Sequence, residues 1–457
     1  MIKFLFFDYR ELEIATGFTR EPQQPVKDPG NPIFVPDAPW EHHSMQFYGS
    51  VIKPPGKPFQ MWFSTRGNLC YAESEDGITW TRPKLNLFPL EDAATNNVVF
   101  QRPHGAALIY DSEDPREDWQ YKMLAGAAPS GCISVFHSPD GIHWQPGVRA
   151  PWNPAPYPVI GTNPDCPIGF VRTPDGRYAG YHRWPHYHRR VCRSESWDFT
   201  TWTNERRMVF EPDVLDPPQT QFYGMGVTAY GSYELGTLWM YHTDPDDFEW
   251  SKMSGLEEAE LAYSRSGWAW HRAAQGTPFI PSGGPAEWDR GNLQCASQPV
   301  FLNEEIRYYF AASEQRHIRG WERLVRHGGL GIARLKPDRF VALTAGDQPA
   351  ELLTFMFDLP STDLFVNADI AQNGSVRVAL LDLAANAIDG YELADCEAIT
   401  GDALNHRVRW RGIGQSAAPV GQRARLRVEA RNARVFSIYA TEPNERPVYH
   451  RFTAARP

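Results

Sequence analysis

Ser74-Glu75-Asp76-Gly77-Ile78-Thr79-Trp80 returns as Ser138-Pro139-Asp140-Gly141-Ile142-His143-Trp144. It recurs more loosely within Ser194-Glu195-Ser196-Trp197-Asp198-Phe199-Thr200-Thr201-Trp202, and again as Ser264-Arg265-Ser266-Gly267-Trp268-Ala269-Trp270. The closing tryptophans Trp80, Trp144, Trp202 and Trp270 are separated by 64, 58 and 68 residues, and Phe340 falls 70 residues further on. That period is too long for a solenoid and fits a propeller blade with decorated loops. Asp-Gly is a preferred pair for a tight hairpin, and the following Trp begins the returning strand, so each copy predicts the turn between the last two strands of a four-stranded sheet. Strand-like runs precede the copies: Leu69 to Ala72, Ile133 to Phe136, Arg190 to Arg193, Leu261 to Tyr263. A second repeat keeps step with the first, Gln46-Phe47-Tyr48-Gly49 recurring as Gln221-Phe222-Tyr223-Gly224.

Composition agrees with an all-β chain. The 457 residues include 36 Gly and 39 Pro, enough for frequent turns, and no convincing helical stripe. Aromatic residues make up 13%, which suits both a β core and stacking on sugar C–H faces. With a net charge of −10 and dispersed basic residues, nucleic acid is not an expected partner. No apolar run has membrane length, so no membrane partner is expected either. The segment Met1 to Asp8 has an apolar core too short for a signal peptide and reads as a first strand, which places the chain in the cytoplasm unless it is a mature form. Cys70, Cys132, Cys166, Cys192, Cys295 and Cys396 lack metal-type spacing and read as reduced core residues.

After Phe340 the repeat ceases, and Thr344 to Pro349 form a polar turn. The expected division is a propeller over 1–344 and an accessory domain over 345–457. Short alternating strands there, Asp363 to Ala368, Ser375 to Leu380, Val408 to Trp410, Ala424 to Glu429 and Val435 to Tyr439, predict an antiparallel β-sandwich. Counting Phe340 as the end of a degenerate copy gives five blades, with six as the alternative.

A five-bladed β-propeller followed by a small β-sandwich resembles the invertase, levanase and arabinanase superfamily of glycoside hydrolases, in which the phrase Ser-x-Asp-Gly-x-x-Trp is common. The resemblance implies three carboxylates around a central pocket: a nucleophile or base, a second Asp that orients substrate, and a Glu acid. Of the invertase motifs, only Glu-Cys-Pro has an echo, Asp165-Cys166-Pro167, with Asp in place of Glu. Gln46 stands at the first-blade position, and no Arg-Asp-Pro occurs. A distant branch is implied.

In a propeller the first strand of every blade lines the channel, so its leading residues converge on one mouth. By repeat alignment these starts are Gln46 to Gly49, His104-Gly105, Asn163 to Asp165, Gln219 to Tyr223 and Asn292 to Gln298. Asp165 is the leading catalytic candidate, with Asp216 before the fourth inner strand and Glu314 after Ile306 to Ser313 beside it. Each has a plainer reading, as a turn former or a surface ion pair. Expected substrate contacts are Gln46, Tyr48, His104, His182, Arg183, Gln221, Tyr223, His242, Asp244, Trp288, Asp289 and Gln294. His182, His186 and His188 lack the accompanying ligands of a zinc enzyme, so neither metal nor other cofactor is expected.

Three functions follow from this reading. The first is a glycoside hydrolase that removes a terminal, furanosidic sugar by carboxylate acid/base chemistry. The second is a propeller that binds carbohydrate without cleaving it, favoured by Gln at two inner-strand starts. The third is a lyase or phosphorylase on the same ring, using the His and Arg of blades three and five.

Overall fold

The computed structural model describes residues 2–41, 45–65, 67–90, 93, 95–127, 132–147, 159–160, 166–184, 188–203, 207–244, 254–317, 328–411 and 420–441. Among them the chain forms two compact units, one of Pro25–Leu302 with Ile306–Arg334, the other of residues 2–24 and 335–441 with Asn303–Glu305. No helix is long and apolar enough to cross a membrane.

The larger unit is a ring of five antiparallel blades. Blade one is Val51–Ile52, Phe59–Ser64, Asn68–Ser74 and Val98–Gln101; blade two is Pro103–Tyr110, Tyr121–Ala127, Cys132–Ser138 and Gln145–Pro146. Blade three is Pro167–Arg172, Tyr178–Arg183, Val191–Ser196 and Arg207–Phe210, and blade four is Thr220–Tyr230, Tyr233–Thr243, Gly255–Ser264 and His271–Arg272. Blade five comprises Asn292–Cys295, Ile306–Ser313 and Gly328–Leu335, and its outermost strand is Val26–Lys27 from near the N terminus. Lys27 lies opposite Ala333 and Val26 opposite Arg334, so the two ends of the ring share one sheet.

The repeated phrase sits where the sequence predicts it, with a different turn. A two-residue hairpin of the expected type needs positive φ at both central residues, whereas here only Gly77 (φ +72°), Gly141 (φ +80°) and Gly267 (φ +72°) have it. The Asp carboxylate does the remaining work. Asp76 Oδ1 accepts the N–H groups of Ile78 and Thr79, both at 2.7 Å, and Ser74 Oγ accepts the Gly77 N–H at 2.8 Å. Asp140 repeats this with Ile142 and His143, and Asp198 with Thr200 and Thr201. The third copy is therefore in register as Ser196 to Trp202, with Phe199 held at φ +68° where the others have Gly.

The tip of each turn docks on the blade before it. Tyr309 of blade five donates to Gly77 O (2.9 Å), Trp62 of blade one to Gly141 O (2.8 Å), and Tyr181 of blade three to Gly267 O (3.3 Å). At the third turn an aromatic contact replaces this bond, Phe199 lying edge-on to Trp119 and stacked on Phe170. Apolar layers fill the gaps between blades: Phe47, Phe63 and Leu330 in one, Trp62, Leu108 and Phe136 in the next, Phe222, Met225 and Leu238 in another. Burial of these layers is the main favourable term for the ring. At the axis the first strands approach so closely that a Cβ on Gly226 would meet Ala296 O at 2.7 Å.

The smaller unit is a nine-stranded antiparallel assembly around its own apolar core of residues such as Phe4, Leu352, Val366, Val378, Leu426 and Val435. Ile2–Leu5 is a strand, as read, but it pairs with Ser437 to Ala440 in this unit. Leu12–Thr16 and Phe18–Pro22 also belong here, and the chain re-enters at Leu335. The sequence division at 344 is therefore displaced, and the N-terminal segment changes unit. The short strands expected at Asp363 to Ala368 and Ser375 to Leu380 are parts of one 18-residue strand, Leu364–Leu381. Gln372-Asn373-Gly374 reads as a turn in sequence, yet the pairing with Arg423–Ala440 absorbs it as a bulge between Ile370 and Ser375.

Cys70, Cys166, Cys192, Cys295 and Cys396 are free and buried. Burial pushes the Cys70 and Cys295 thiols up to about 12, which leaves them unreactive.

Candidate functional site

Where the blades meet on the axis, Tyr48 of the blade-one entry packs with Cys166 and Ile168 of blade three and with Tyr223, Trp239 and Tyr241 of blade four. Polar groups are threaded through this aromatic cluster. The Tyr48 and Tyr223 hydroxyls are 3.4 Å apart, and Tyr223 Oη lies 3.4 Å from His317 Nε2. The other ring nitrogen of His317, Nδ1, is 3.0 Å from Tyr241 Oη. Two guanidinium groups face the Tyr223 ring, Arg183 at 4.5 Å and Arg189 at 4.9 Å. Arg189 also donates to Gln221 Oε1 at 2.9 Å.

The carboxylate of this network is Glu257. It is fully buried, and Gln294 donates to its Oε2 at 2.7 Å. Burial first, then the Tyr223 hydroxyl, hold the Tyr48 phenol well above its ordinary value, with Cys166 and Glu257 adding to the effect and Arg183 opposing it. Tyr48 therefore remains a hydrogen-bond donor at working pH.

Glu257 reaches the axis from the third strand of its blade, which explains why a search confined to first strands passes it by. Its partner is Asn292, at the start of blade five, in a single parallel bridge. The preceding blades make the same junction: Phe222 N–H donates to Arg189 O at 2.9 Å, and Arg102 N–H to Gly67 O at 2.7 Å. A sequence signal marks these positions. Seven residues before the turn serines Ser74, Ser138, Ser196 and Ser264 stand Gly67, Gly131, Arg189 and Glu257. Two blades have glycine there and two have charges of opposite sign.

Of the residues expected from sequence, Tyr48, Arg183, Gln221, Tyr223 and Gln294 are brought together in this network, and Gln46 lines a pocket with Gln294 and Asn292. Asp165 lies outside the described residues, as does His186; the neighbour Cys166 is in the axial cluster. The remaining carboxylates are each held by a cation. Arg290 donates to Glu314 at 3.1 Å, Arg316 to Asp244 at 2.6 Å, and Lys27 of the ring-closing strand to the buried Asp289 at 2.5 Å. Trp288 lies parallel to Phe310 with centroids 6.0 Å apart, which commits one of its faces. His182 is buried with Nε2 3.1 Å from Ser194 Oγ, His242 meets Glu258 at 3.1 Å, and His104 is exposed at the start of blade two.

Asp216 is gripped by both Arg272 amino groups, at 2.6 and 2.8 Å, in a buried cluster with Glu260. Burial pushes Glu260 up to about 7 from 4.5, opposed by Arg272 and the Gly276 N–H and assisted by Asp216 and Glu258. Between those two values the folded protein holds a proton that the unfolded chain has released, so this group's contribution is complete below about 4.5 and is lost as pH rises through 7. Unfolding free energies from urea titrations between pH 5 and pH 8 are expected to fall for this reason, by an amount of order 3 kcal/mol. Glu260→Gln should flatten that slope; an unchanged slope would remove Glu260 as its cause.

No family model and no curated protein matches the chain. Solved structures do. A glycosyl hydrolase from Bacteroides ovatus is 13% identical with a TM-score of 0.47, over 70% of this chain and 95% of that one. A structure from work on the mannoside phosphorylase family, which contains hydrolases of β-1,2-mannosidic linkages in Candida mannan, is 15% identical with a TM-score of 0.45, over 70% and 94%. An α-L-arabinofuranosidase of Podospora anserina solved with cellotriose is 12% identical with a TM-score of 0.42, over 71% and 98%. Each is a likeness in the course of the chain, at an identity too low to carry over a reaction or a residue.

Proposed function

We propose that this protein is a glycoside-cleaving enzyme that takes a terminal sugar, in the first instance a furanoside, from an oligo- or polysaccharide at the mouth of the propeller. The observation that supports it is Glu257, a buried carboxylate fixed by Gln294 among hydroxyl, imidazole and guanidinium groups from several blades. Glycoside cleavage needs a carboxyl group that protonates the leaving oxygen and a second that assists attack on the sugar carbon. Glu257 is the proposed member of that pair on blade four, and Asp165, the residue before Cys166, is the proposed member on blade three. Asp216 and Glu314, each bound to a guanidinium, rank behind them.

Transfer to phosphate in place of water is the second reading. The placement of Arg183 and Arg189 on one tyrosine ring favours it, because guanidinium pairs suit phosphate oxygens. Chromatography of a broad oligosaccharide panel, with and without phosphate, tests both. A free sugar released without phosphate supports hydrolysis, and a sugar phosphate formed only with it supports phosphorolysis. Either product should disappear in Asp165→Asn. Unaltered sugars across the panel would overturn the proposal in favour of a binding propeller.

A further inference from the structure

His317 joins two blades through its backbone and reaches a third group of residues with its ring. Its N–H donates to Asn292 Oδ1 at 2.9 Å, and its carbonyl accepts the Gly255 N–H at 2.7 Å. Gly255 and Glu257 share the strand Gly255–Ser264, and Asn292 is the parallel partner of Glu257. Position 317 is therefore pinned to the two strands that meet at Glu257. From there the buried ring turns into blade four, edge-on to Tyr241 with centroids 5.0 Å apart and to Tyr223 with centroids 5.6 Å apart. Nδ1 faces Tyr241 Oη and Nε2 faces Tyr223 Oη, which is itself 3.4 Å from Tyr48 Oη.

An imidazole nitrogen either donates or accepts, whereas a phenol hydroxyl does both through one oxygen. With one proton on the ring, the nitrogen that carries it decides whether Tyr223 accepts from His317 or donates to it, and hence which way the Tyr223 hydroxyl turns toward Tyr48. The two ends of this chain differ in access. Tyr241 is 0% exposed, while Tyr223 and Tyr48 keep 7% and 8%, and the Glu257 charge acts on Tyr48. A hydroxyl held in one direction by buried partners is a preorganised dipole, and it stabilises developing charge better than one free to rotate. We propose that His317 is a positioning residue for glycoside cleavage, acting through Tyr223 by fixing the direction of its hydroxyl. The proposal rests on the glycosidase reading. Contact with the sugar is made by Tyr223 and Tyr48, and His317 sets their geometry from behind.

The test joins nitrogen NMR to kinetics on the full chain. In protein carrying isotope-labelled histidine, Tyr241→Phe should move the Nδ1 resonance of His317 and Tyr223→Phe the Nε2 resonance; if neither moves, the chain is not formed and the inference falls. Kinetics use whichever glycoside the oligosaccharide panel shows to be cleaved. His317→Phe keeps the ring and both backbone bonds, and should lower kcat by about 10- to 100-fold with KM within about threefold of the parent. Tyr223→Phe should cause a loss of the same size, and the double variant no further loss, because both substitutions break one chain. His317→Asn, whose amide reaches only the Nδ1 position, should share the loss, whereas His317→Gln, whose amide reaches the Nε2 position, should recover most of it. That pair carries the test if His317→Phe does not fold. Losses that add in the double variant, a Gln variant no better than the Asn variant, or kcat within about twofold of the parent throughout would each overturn the role of His317 and leave the glycosidase reading standing. No cleavage of any glycoside by the parent would overturn that reading and the positioning role with it, and the nitrogen shifts would then report a chain with no reaction to serve.

Discussion

Glu257→Gln is expected to lower kcat on a cleaved glycoside by at least about a thousandfold while leaving the protein folded. The substitution keeps volume and removes charge and proton affinity. Because Glu257 is fully buried, its carboxylate has no bulk water to replace its function, and Gln294 can rotate its amide to pair with the new one. A change confined to KM would mean that Glu257 binds substrate equally in ground and transition states and does no chemistry. More than a tenth of the parent kcat would remove Glu257 from the reaction and return the search to Asp165, Asp216 and Glu314. Glu314→Gln is the informative comparison: its carboxylate is half-buried and paired with Arg290, so the same chemical change there should cost little.

The largest stability effect is expected at Arg193. This side chain is 1% exposed and links blades three and four. Its Nε and Nη2 donate to Glu195 Oε1 at 3.0 and 2.8 Å, and its Nη1 to both oxygens of Glu234 at 3.1 Å, with Tyr181 Oη also bonded. Arg193→Met leaves the Glu234 carboxylate buried without its cation, a change that costs roughly 3–5 kcal/mol in comparable ion pairs. The urea midpoint should fall accordingly. Arg193→Met combined with Glu234→Leu removes both charges of that pair, leaves Glu195 with Arg177 at 2.5 Å, and should recover much of the loss, since a buried pair replaced by apolar groups is often close to neutral. If the double variant were no better than the single one, the effect would be lost packing and not an orphaned charge.

The ring was legible in sequence because its turns use local chemistry. Ser, Asp and Gly at fixed offsets satisfy backbone groups within seven residues, and such a signal survives without knowledge of the rest of the chain. Tyr48, Gln221, Tyr223 and Gln294 were legible for a related reason: they begin strands that a repeat aligns. Glu257 was not. It stands in the run Glu257-Glu258-Ala259-Glu260, where three acidic residues read as a solvated edge. Only the parallel junction with Asn292, 35 residues on, turns the first of them to the axis and buries it. The ion pairs that hold Asp216, Asp244, Asp289 and Glu314 are equally non-local, so sequence offers these carboxylates as candidates without showing the cations that meet them. The placement of residues 2–22 in the smaller unit is of the same kind, since Ile2–Leu5 finds its partner at Ser437 to Ala440.

The strand Val26–Lys27 is among the first parts of the propeller to leave the ribosome, and its partners Ala333 and Arg334 are among the last. Throughout synthesis the nascent ring is an open arc with a bare strand edge at the growing end, the kind of surface that recruits neighbouring chains. Completion joins residues some 300 positions apart, a non-local contact of the kind whose loop-closure cost comes before any gain from pairing. A protease that cut the chain before Val26 would spare the clasp, whereas removal of a dozen further residues would turn a closed ring back into an arc.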